Sequence, residues 1–384
     1  MFNRHNERAE LRFHADSGKS ILMLAPRRIG KTWLIDRLGE DLRKESWIVI
    51  RCDVQDLSKE TDFLRHLCLR IEEQGDLLDR TKGRVRQLIA QFLANDPGQG
   101  LKKTLGTTDW KSFADTLIRE LNADDRPTMI LIDELALFVA AILKRSAPAA
   151  KEFLYGLRSL QQTYPKVRWL FTGSIGLDTV ARRGDIAGAL VNLHIFPLEP
   201  LSRDAAHAFV GHLSATRQVR RPFSLDAATF NVFADMLGWL APFYVEKLAH
   251  MIVPTGPNGA NRLPTATIAD VEAAFDAILG RAYRTYFATW EEHLSKNFKP
   301  AEAAAMRRIL DVCCRHPKGA QVETLLAQTP NPLSTANRRA LREQLNTLVN
   351  DGYLTEIPEG SSLPYVFRSG LLRRYWQRYV AELA

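Results

Sequence analysis

The first half of the chain alternates between short, mostly apolar segments of strand length and longer segments with helical periodicity. The strand-length segments are residues 20–25, 47–53, 128–134, 167–174 and 192–197. The run 128–134 is apolar without alternation, as expected for a parallel strand that is covered on both faces. Strands that alternate with helices predict an α/β domain with a parallel sheet, which we expect to end near residue 200. Within it, a long helical stretch is expected at 58–94 and a loop at 95–109.

The first predicted strand runs directly into a loop with the spacing of a phosphate-binding loop. Residues 25–32 are Ala-Pro-Arg-Arg-Ile-Gly-Lys-Thr, and a helix-like segment follows them. In such a loop, backbone N–H groups and the helix N-terminus cradle phosphates, Lys31 reaches the β and γ oxygens, and the Thr32 hydroxyl ligates Mg²⁺. The predicted nucleotide-binding residues are Pro26, Arg27, Arg28, Ile29, Gly30, Lys31, Thr32 and Trp33.

The loop departs from the usual pattern at its first position. Ala25 stands where the pattern has glycine, and its Cβ restricts the backbone there. A chance match on an ordinary strand-turn-helix is the alternative interpretation.

The predicted strand at 128–134 ends in two adjacent carboxylates, Asp133 and Glu134. Asp133 is predicted to belong to the metal site by holding the hydration shell of a Mg²⁺ ion bound at Thr32, and Glu134 is predicted to polarise the attacking water. The alternative is an acidic pair that caps the next helix. The predicted strand at 167–174 ends in residues with hydroxyl groups, and Ser174 or Thr172 is a candidate for sensing the γ-phosphate. A plain turn without such a role explains these residues equally well. The predicted catalytic residues are Glu134, Lys31 and Ser174.

Length and composition limit the class of protein. A chain of 384 residues with 46% apolar residues is expected to form two or three domains with conventional cores, at roughly 150 residues per domain. The longest apolar run, 135–143, is far below the roughly 18 residues that span a bilayer, and the N-terminus has no signal-peptide core. We therefore expect a soluble, cytoplasmic protein that does not contact membranes.

Cysteine usage and net charge change this picture little. The four cysteines lack metal-ligand spacing and are predicted to be buried thiols. The formal net charge of +8, from 52 basic and 44 acidic residues, permits nucleic-acid contact without requiring it.

The second half of the chain has a different, helical organisation. Residues 201–253 are predicted to be helical, with Pro242 in the first turn of one helix because proline is tolerated there. Ser202 is a candidate N-cap for the first of these helices, and Thr267 with Asp270 resembles a capping box that starts a helix expected to run past Tyr286. We predict an ATPase core at 1–200, a helical lid and linker helix at 201–298, and a winged-helix domain at 299–384.

The predicted winged helix has three helices followed by a hairpin. Its third helix, 334–350, has Leu341, Leu345 and Leu348 on one face. The opposite face carries Arg338, Arg339 and Arg342, which in a DNA-binding winged helix contact the major groove and phosphates. A solvated face or a protein-docking face is the alternative, and Glu343 reduces the positive field.

These motifs together carry a family resemblance. The chain resembles the archaeal-type ATPases of the STAND and replication-initiator side of the AAA+ superfamily, in which an ATPase core, a lid and a winged helix occur in this order. The resemblance implies an α/β P-loop NTPase of the additional-strand, catalytic-glutamate type, with ATP and Mg²⁺ as cofactors. The segments that carry it are 26–32, 131–134, 169–177, 197–202 and 367–376.

The resemblance also implies roles for residues outside the loop. Arg4 and Glu7 match a box that lies near the adenine in relatives, and Pro242 is expected to pack on the adenine when the lid closes. The arginine that relatives carry before the last strand is absent here, which leaves an arginine finger unassigned. Arg182 and Arg183 are candidates for that role, or a pair on a solvated loop.

The leading hypothesis from sequence is an ATP-dependent molecular switch that hydrolyses ATP slowly and controls assembly, as a homo-oligomer or with a protein partner. A nucleotide-dependent DNA-binding regulator or replication initiator is the second hypothesis. A defence or stress-signalling ATPase with a separate effector is the third, and it follows only from the resemblance.

Overall fold

The computed structural model describes residues 4–74, 83–94, 110–173, 176–258, 263–328, 334–357 and 364–381. The described residues form two compact units. The N-terminal unit contains residues 4–25 and 31–198, and the C-terminal unit contains residues 26–30 and everything from residue 199 onwards. The short segment 26–30 therefore belongs by its contacts to the C-terminal unit, although its neighbours in sequence belong to the other unit.

A five-stranded parallel sheet forms the centre of the N-terminal unit. Its strands are β1 (Ile21–Leu24), β2 (Ile48–Asp53), β3 (Thr128–Asp133), β4 (Val167–Phe171) and β5 (His194–Pro197), in the spatial order β2-β3-β4-β1-β5. All neighbouring pairs are parallel. The strand β4 lies between the two strands that carry the predicted motifs, which confirms the additional-strand arrangement.

Helices cover this sheet and bury its apolar side chains. They are α1 (His5–Asp16), α2 (Lys31–Lys44), α3 (Glu60–Glu72), α4 (Arg84–Ala94), α5 (Trp110–Asn122), α6 (Leu135–Arg145), α7 (Ala147–Thr163) and α8 (Leu177–Arg183), with a 3-10 turn at Ala187–Leu190. Every residue of β3 is buried, as the unbroken apolar run predicts. In the described part of the chain, no helix has both the length and the apolarity needed to cross a bilayer.

Two long helices expected from the sequence are divided in the structure. The helical stretch expected at 58–94 is not one continuous helix, because α3 ends at Glu72 and Gly83 enters the left-handed region at φ 73° just before α4. The helix from Thr267 is also shorter than expected. It ends at Ile278, because Gly280, with φ −67° and ψ 159°, takes an extended conformation. The loop expected at residues 95–109 lies outside the described residues.

The C-terminal unit is mainly helical. Its helices are α9 (Arg203–Ala215), α10 (Ala227–Leu237), α11 (Pro242–Met251), α12 (Ile268–Ile278), α13 (Thr285–Asn297), α14 (Pro300–Arg315), α15 (Val322–Leu326), α16 (Thr335–Asn350) and α17 (Gly370–Tyr379). A 3-10 turn at Arg281–Tyr283 precedes α13. The Ser202 side chain caps α9, and Thr267 with Asp270 forms a capping box on α12, as their positions in the sequence predict.

Helices α14, α15 and α16 are followed by an antiparallel hairpin of β6 (Leu354–Glu356) and β7 (Tyr365–Phe367). A single antiparallel bridge also joins Ala320 to Tyr365. Three helices followed by a hairpin is the element order that the sequence predicts for the winged helix. The three leucines predicted on the inner face of α16 are buried. The exact domain limits at residues 298 and 299 stay a prediction.

Buried hydrogen bonds tie α13 to its neighbours within the C-terminal unit. The Trp290 indole donates to the Tyr244 hydroxyl at 2.6 Å, and the Tyr353 hydroxyl donates to the Trp290 carbonyl at 2.6 Å. His293 and Asp351, both buried, share a hydrogen bond of 3.0 Å. Since buried polar groups are costly without partners, these bonds fix how α11, α13 and the end of α16 pack together.

The core of the N-terminal unit provides a stability test. Phe153 is fully buried and meets the rings of Phe63 and Phe138 edge to face, each at 5.1 Å between centroids. We expect Phe153→Ala to lower the free energy of unfolding by about 3–5 kcal/mol, because it removes packing and leaves a cavity. Phe13 is 64% exposed, so Phe13→Ala should cost about 0.5 kcal/mol or less. Urea unfolding measures both, and equal losses would contradict the assigned core.

Candidate functional site

The predicted metal-binding hydroxyl and carboxylate are directly hydrogen-bonded. Helix α2 begins at Lys31, so Thr32 lies in its first turn beside the carboxyl end of the sheet, where β3 ends at Asp133. The Thr32 hydroxyl donates to Asp133 Oδ2 at 2.8 Å. Two residues that are 101 positions apart in sequence are thereby brought together, as the spacing of the two motifs predicts.

Asp133 is 2% exposed, and four donors surround its carboxylate. Oδ1 accepts from the Thr172 hydroxyl and, at 3.2 Å, from the Glu134 backbone N–H. Oδ2 accepts from Thr32 and, at 2.9 Å, from Arg51. A carboxylate offers about four lone-pair positions. Asp133 is therefore arranged to orient other groups, and reaching a metal ion directly would require it to lose a partner.

The donor set fits a hard divalent cation bound mainly through Thr32. The Thr32 hydroxyl gives its one proton to Asp133, which leaves its oxygen lone pairs for a metal ion, and the residue is exposed. Hydroxyl and carboxylate oxygens are the ligands that Mg²⁺ prefers. Among the described residues, no group of three His, Cys, Asp or Glu side chains could hold a metal by itself. The remaining ligands would have to come from phosphates and water.

The Lys31 side chain is buried and folds back onto the first residue of its own loop. The residue is 7% exposed, and Nζ donates to the Ala25 carbonyl at 2.8 Å. This bond closes the loop from its first residue to the start of α2. The ammonium group thus lies next to the backbone that is predicted to hold phosphates, at the position where positive charge and a helix N-terminus act together.

Glu134 has an unusual backbone conformation. Its φ of 59° and ψ of 31° lie in the left-handed region, which costs a non-glycine residue roughly 1–2 kcal/mol. It stands at the N-cap of α6, yet within the described residues its side chain makes no capping hydrogen bond. Helix capping, the alternative explanation for the acidic pair, is therefore not what the Glu134 carboxylate does. Strain of this kind concentrates at functional sites.

The loop segment 26–30 is engaged by elements of the C-terminal unit. The Arg28 guanidinium lies over the Phe243 ring at 3.9 Å and donates to the Thr289 hydroxyl at 3.0 Å. Burial lowers the pKa of Arg28 from its usual value, and burial also raises the pKa of the nearby Tyr244 to about 12. Arg28 itself has a left-handed φ of 71°. Its side chain is therefore committed to α11 and α13, which the sequence motif alone did not indicate.

The turn after α16 also meets this loop segment. Gly352 has a φ of 87°, and a Cβ added there would lie 2.4 Å from the Cβ of buried Pro26. Only glycine allows this approach without displacement. Pro242, the first residue of α11, is buried next to Phe243. Its predicted contact with adenine stays a prediction.

The other predicted loop residues have varied surroundings. Ile29 is 1% exposed, whereas Arg27 and Gly30 are half-buried, and Gly30 has a left-handed φ of 94°. Trp33 packs beneath Arg37, with 5.7 Å from the guanidinium to the ring. A loop of left-handed and buried residues matches a backbone that turns its N–H groups inward.

Several predicted residues lie elsewhere or outside the described chain. Ser174 is outside the described residues, whereas Thr172, the other candidate, binds Asp133 directly. Arg4 and Glu7 form an ion pair, with Arg4 buried. Arg182 is an exposed residue of α8 that pairs with Asp178 at 2.9 Å, as expected of a solvated surface pair.

Arg51 faces Asp133 from the neighbouring strand and was not predicted from the sequence. The strand β2 pairs in register with β3, so the ends of both strands lie side by side. A basic residue near the end of a strand next to the acidic one is the signal that would have found it.

The basic face of α16 is exposed as predicted. Arg338, Arg339 and Arg342 are all exposed, but Arg339 pairs with Glu343 at 3.2 Å. The described structure therefore leaves Arg338 and Arg342 as the better candidates for binding phosphates.

Comparison with known proteins agrees with this geometry. Residues 14–180 match the family model of the AAA domain. The chain is similar in fold to the Walker-type ATPase PABY2304 of Pyrococcus abyssi, with 15% identity, a TM-score of 0.63 and coverage of 98% of this chain and 95% of that chain. It is also similar to the Aeropyrum pernix ORC2 protein in ADPNP–ADP complexes, with 13% identity, a TM-score of 0.54 and coverage of 97% and 92%.

The search of curated proteins gave no match. The sheet order, the loop and the AAA match together define a P-loop fold of the AAA+ type. The likeness to the two solved structures concerns the fold and extends over nearly the whole chain.

The left-handed conformation of Glu134 generates a stability prediction. Glycine removes the steric cost at this position, whereas alanine keeps it and also removes the carboxylate. We expect Glu134→Gly to unfold with a free energy about 1 kcal/mol higher than Glu134→Ala. Denaturant unfolding of the two variants measures the difference. An alanine variant as stable as the glycine variant would show that no strain is held there.

Proposed function

We propose that this chain is an AAA+ ATPase that binds ATP at residues 25–32 and uses it to control DNA binding by its C-terminal unit, as a nucleotide-dependent regulator of the replication-initiator type. The observation that carries this proposal is the hydrogen bond from Thr32 to Asp133 at 2.8 Å, next to buried Lys31 and strained Glu134. The likeness in fold to an ORC2 protein solved in ADPNP–ADP complexes supports it.

Each residue of the site has a separate task in this proposal. Backbone N–H groups of the loop and of the α2 N-terminus bind the phosphates, and Lys31 neutralises the charge on the β and γ oxygens. Mg²⁺, when bound, would neutralise phosphate charge and hold the β and γ oxygens in place. Thr32 supplies an oxygen ligand to it, and Asp133 fixes the direction of that ligand through the hydrogen bond at Thr32.

Glu134 is proposed to orient and activate the attacking water. In the part of the chain that the structure describes, its carboxylate makes no capping hydrogen bond to α6 and so is not used up on the backbone N–H groups of that helix. Thr172 supports this arrangement by holding Asp133, whose Oδ1 also accepts from the Glu134 N–H. The Asp133 carboxylate and the Glu134 backbone are thus coupled through one set of hydrogen bonds.

Hydrolysis by an isolated chain is expected to be slow. An arginine finger supplied by a neighbour contributes roughly 10³ to 10⁵ in turnover in other NTPases. Arg182 is paired with Asp178 on the surface of α8, so it is not preorganised for that role within one chain. Slow turnover suits a protein whose nucleotide state is the signal and whose oligomer or partner completes the site.

The DNA-binding part of the proposal rests on α16 and its surroundings. Arg338 and Arg342 are one turn apart on the exposed face, while the leucines on the other face hold the helix to its domain. Such a helix can enter a major groove and contact phosphates with its arginines.

A protein-docking switch is the second candidate function, and the Arg339–Glu343 pair favours it. This pair reduces the net positive charge of the face. A signalling role with a protein partner requires α16 to recognise a protein surface, and then duplex DNA should bind weakly and without a steep salt dependence.

Lys31 provides the direct test of nucleotide binding. Wild type should gain about 2.7 kcal/mol of stability at an ATP concentration one hundred times the Kd. Lys31→Ala should lose this gain, because nothing else replaces its charge on the phosphates. Lys44, which is 77% exposed in the last turn of the same helix, provides the matched control in Lys44→Ala. Thermal unfolding with and without ATP and Mg²⁺ measures the stabilisation of each protein. If ATP stabilised Lys31→Ala as much as wild type, the nucleotide site at residues 25–32 would be refuted.

Salt dependence tests the DNA-binding role. The double variant Arg338→Ala/Arg342→Ala should bind duplex DNA more weakly and reduce the slope of log K against log salt by about 0.9 for each phosphate that the protein no longer neutralises. Arg339→Ala is the control and should change the slope less, because Arg339 is already paired. Fluorescence anisotropy from about 50 to 200 mM salt measures both slopes. A wild-type protein without measurable DNA affinity at low salt would favour the protein-docking role.

A further inference from the structure

Arg51 connects two carboxylates and a backbone carbonyl through its three nitrogen atoms. Nε donates to Asp36 Oδ1 at 2.9 Å, Nη2 donates to Asp133 Oδ2 at 2.9 Å, and Nη1 donates to the Cys52 carbonyl at 2.8 Å. The guanidinium is therefore fixed in one plane by partners from α2, β2 and β3. Its side chain is 22% exposed, so its charge is only partly screened by solvent.

The two carboxylates differ strongly in exposure. The Asp133 side chain is 2% exposed, whereas that of Asp36 is 49% exposed. A buried carboxylate without a counter-ion is costly, and Arg51 supplies a positive charge beside Asp133 at 2.9 Å. Asp36 needs no such partner, because water already solvates it. Its bond to Arg51 instead gives the guanidinium a second hydrogen-bond partner.

Arg51 and Thr32 share the same oxygen atom of Asp133. A divalent cation that binds at Thr32 would therefore come close to the guanidinium, and the two positive charges repel. Moving the guanidinium towards Asp36 lowers this repulsion without leaving Arg51 unpaired. The geometry thus gives Arg51 two partners, one of which is also needed by the metal site.

We propose that Arg51 is a positioning residue that acts as a stand-in counter-ion for Asp133, and that it raises the concentration of divalent cation needed for nucleotide binding. The inference rests on the proposed ATP site and adds its regulation. Without metal, Arg51 holds Asp133 in the orientation that Thr32 needs. When a metal ion binds, Arg51 releases its hydrogen bond to Asp133 Oδ2 and keeps its hydrogen bond to Asp36.

The test measures the affinity for a non-hydrolysable ATP analogue by calorimetry at increasing free Mg²⁺. Chelation of Mg²⁺ by the free analogue is the same for every variant and cancels in the comparison. Mg²⁺ increases the affinity for the analogue, and the quantity to compare is the Mg²⁺ concentration at which half of that increase is reached. We expect Arg51→Gln to lower this concentration on the order of tenfold. This is the factor given by the repulsion between a divalent and a monovalent cation about 6 Å apart at the dielectric constant of water. The same variant should be less stable than wild type when no metal is present.

These two effects have opposite signs, which separates positioning from a purely structural role. A residue that only maintained the fold would lose stability and metal affinity together. Arg51→Lys keeps the charge and should restore a Mg²⁺ requirement close to that of wild type. Asp36→Asn removes the second partner and should raise the Mg²⁺ requirement.

Each outcome has a distinct consequence. A Mg²⁺ requirement that rises or stays unchanged in Arg51→Gln, while wild type binds the analogue, overturns this inference alone. If Arg51→Gln does not fold, Asp36→Asn decides, since an unchanged or lower requirement in that variant overturns the inference. A wild-type protein that does not bind the analogue at any Mg²⁺ concentration overturns the proposed function and this inference together.

Discussion

The hydrogen bond between Thr32 and Asp133 depends on the register of a parallel sheet, and the rest of the site depends on that bond. The strands β1 and β3 end at the same edge, with β4 between them, so Thr32 in the first turn of α2 and the carboxylate of β3 meet there. Shifting a strand by one residue would turn its whole pattern of side chains to the other face. The buried, continuous apolar strands therefore fix the register that the chemistry needs.

The same edge also carries features that cost stability. Glu134 has a left-handed backbone without being glycine, and Asp133 is a carboxylate with almost no exposure. The burial of Asp133 is offset by specific partners, because its carboxylate accepts from Thr32, Arg51 and Thr172 besides its own neighbour Glu134. Strained and buried polar groups concentrate at this edge, whereas the sheet behind it is apolar, as expected when function and stability are divided in this way.

Local patterns in the sequence predicted the parts that local physics determines. The apolar runs predicted the strands, Ser202 and Thr267 predicted helix starts, and the spacing of Gly30, Lys31 and Thr32 predicted the loop. Helix ends were predicted less well, because Gly280 interrupts a segment whose apolar periodicity continues.

Long-range pairing was not predictable from these patterns. Arg51, Asp36 and Asp133 become partners only when the sheet and α2 are assembled. The close approach of Gly352 to Pro26 joins distant parts of the sequence, and no local rule anticipates it. The catalytic role of Glu134 and that of Ser174 stay predictions, the second because it lies outside the described residues.

The most direct measurement of the central claim is a calorimetric titration of the wild-type protein with ATP in magnesium buffer. The arrangement of Lys31, Thr32 and Asp133 predicts a saturable heat for one nucleotide per chain, and a weaker affinity when Mg²⁺ is removed by a chelator. The absence of any binding heat from ATP, with or without Mg²⁺ and at more than one temperature, would contradict a triphosphate site at this edge of the sheet.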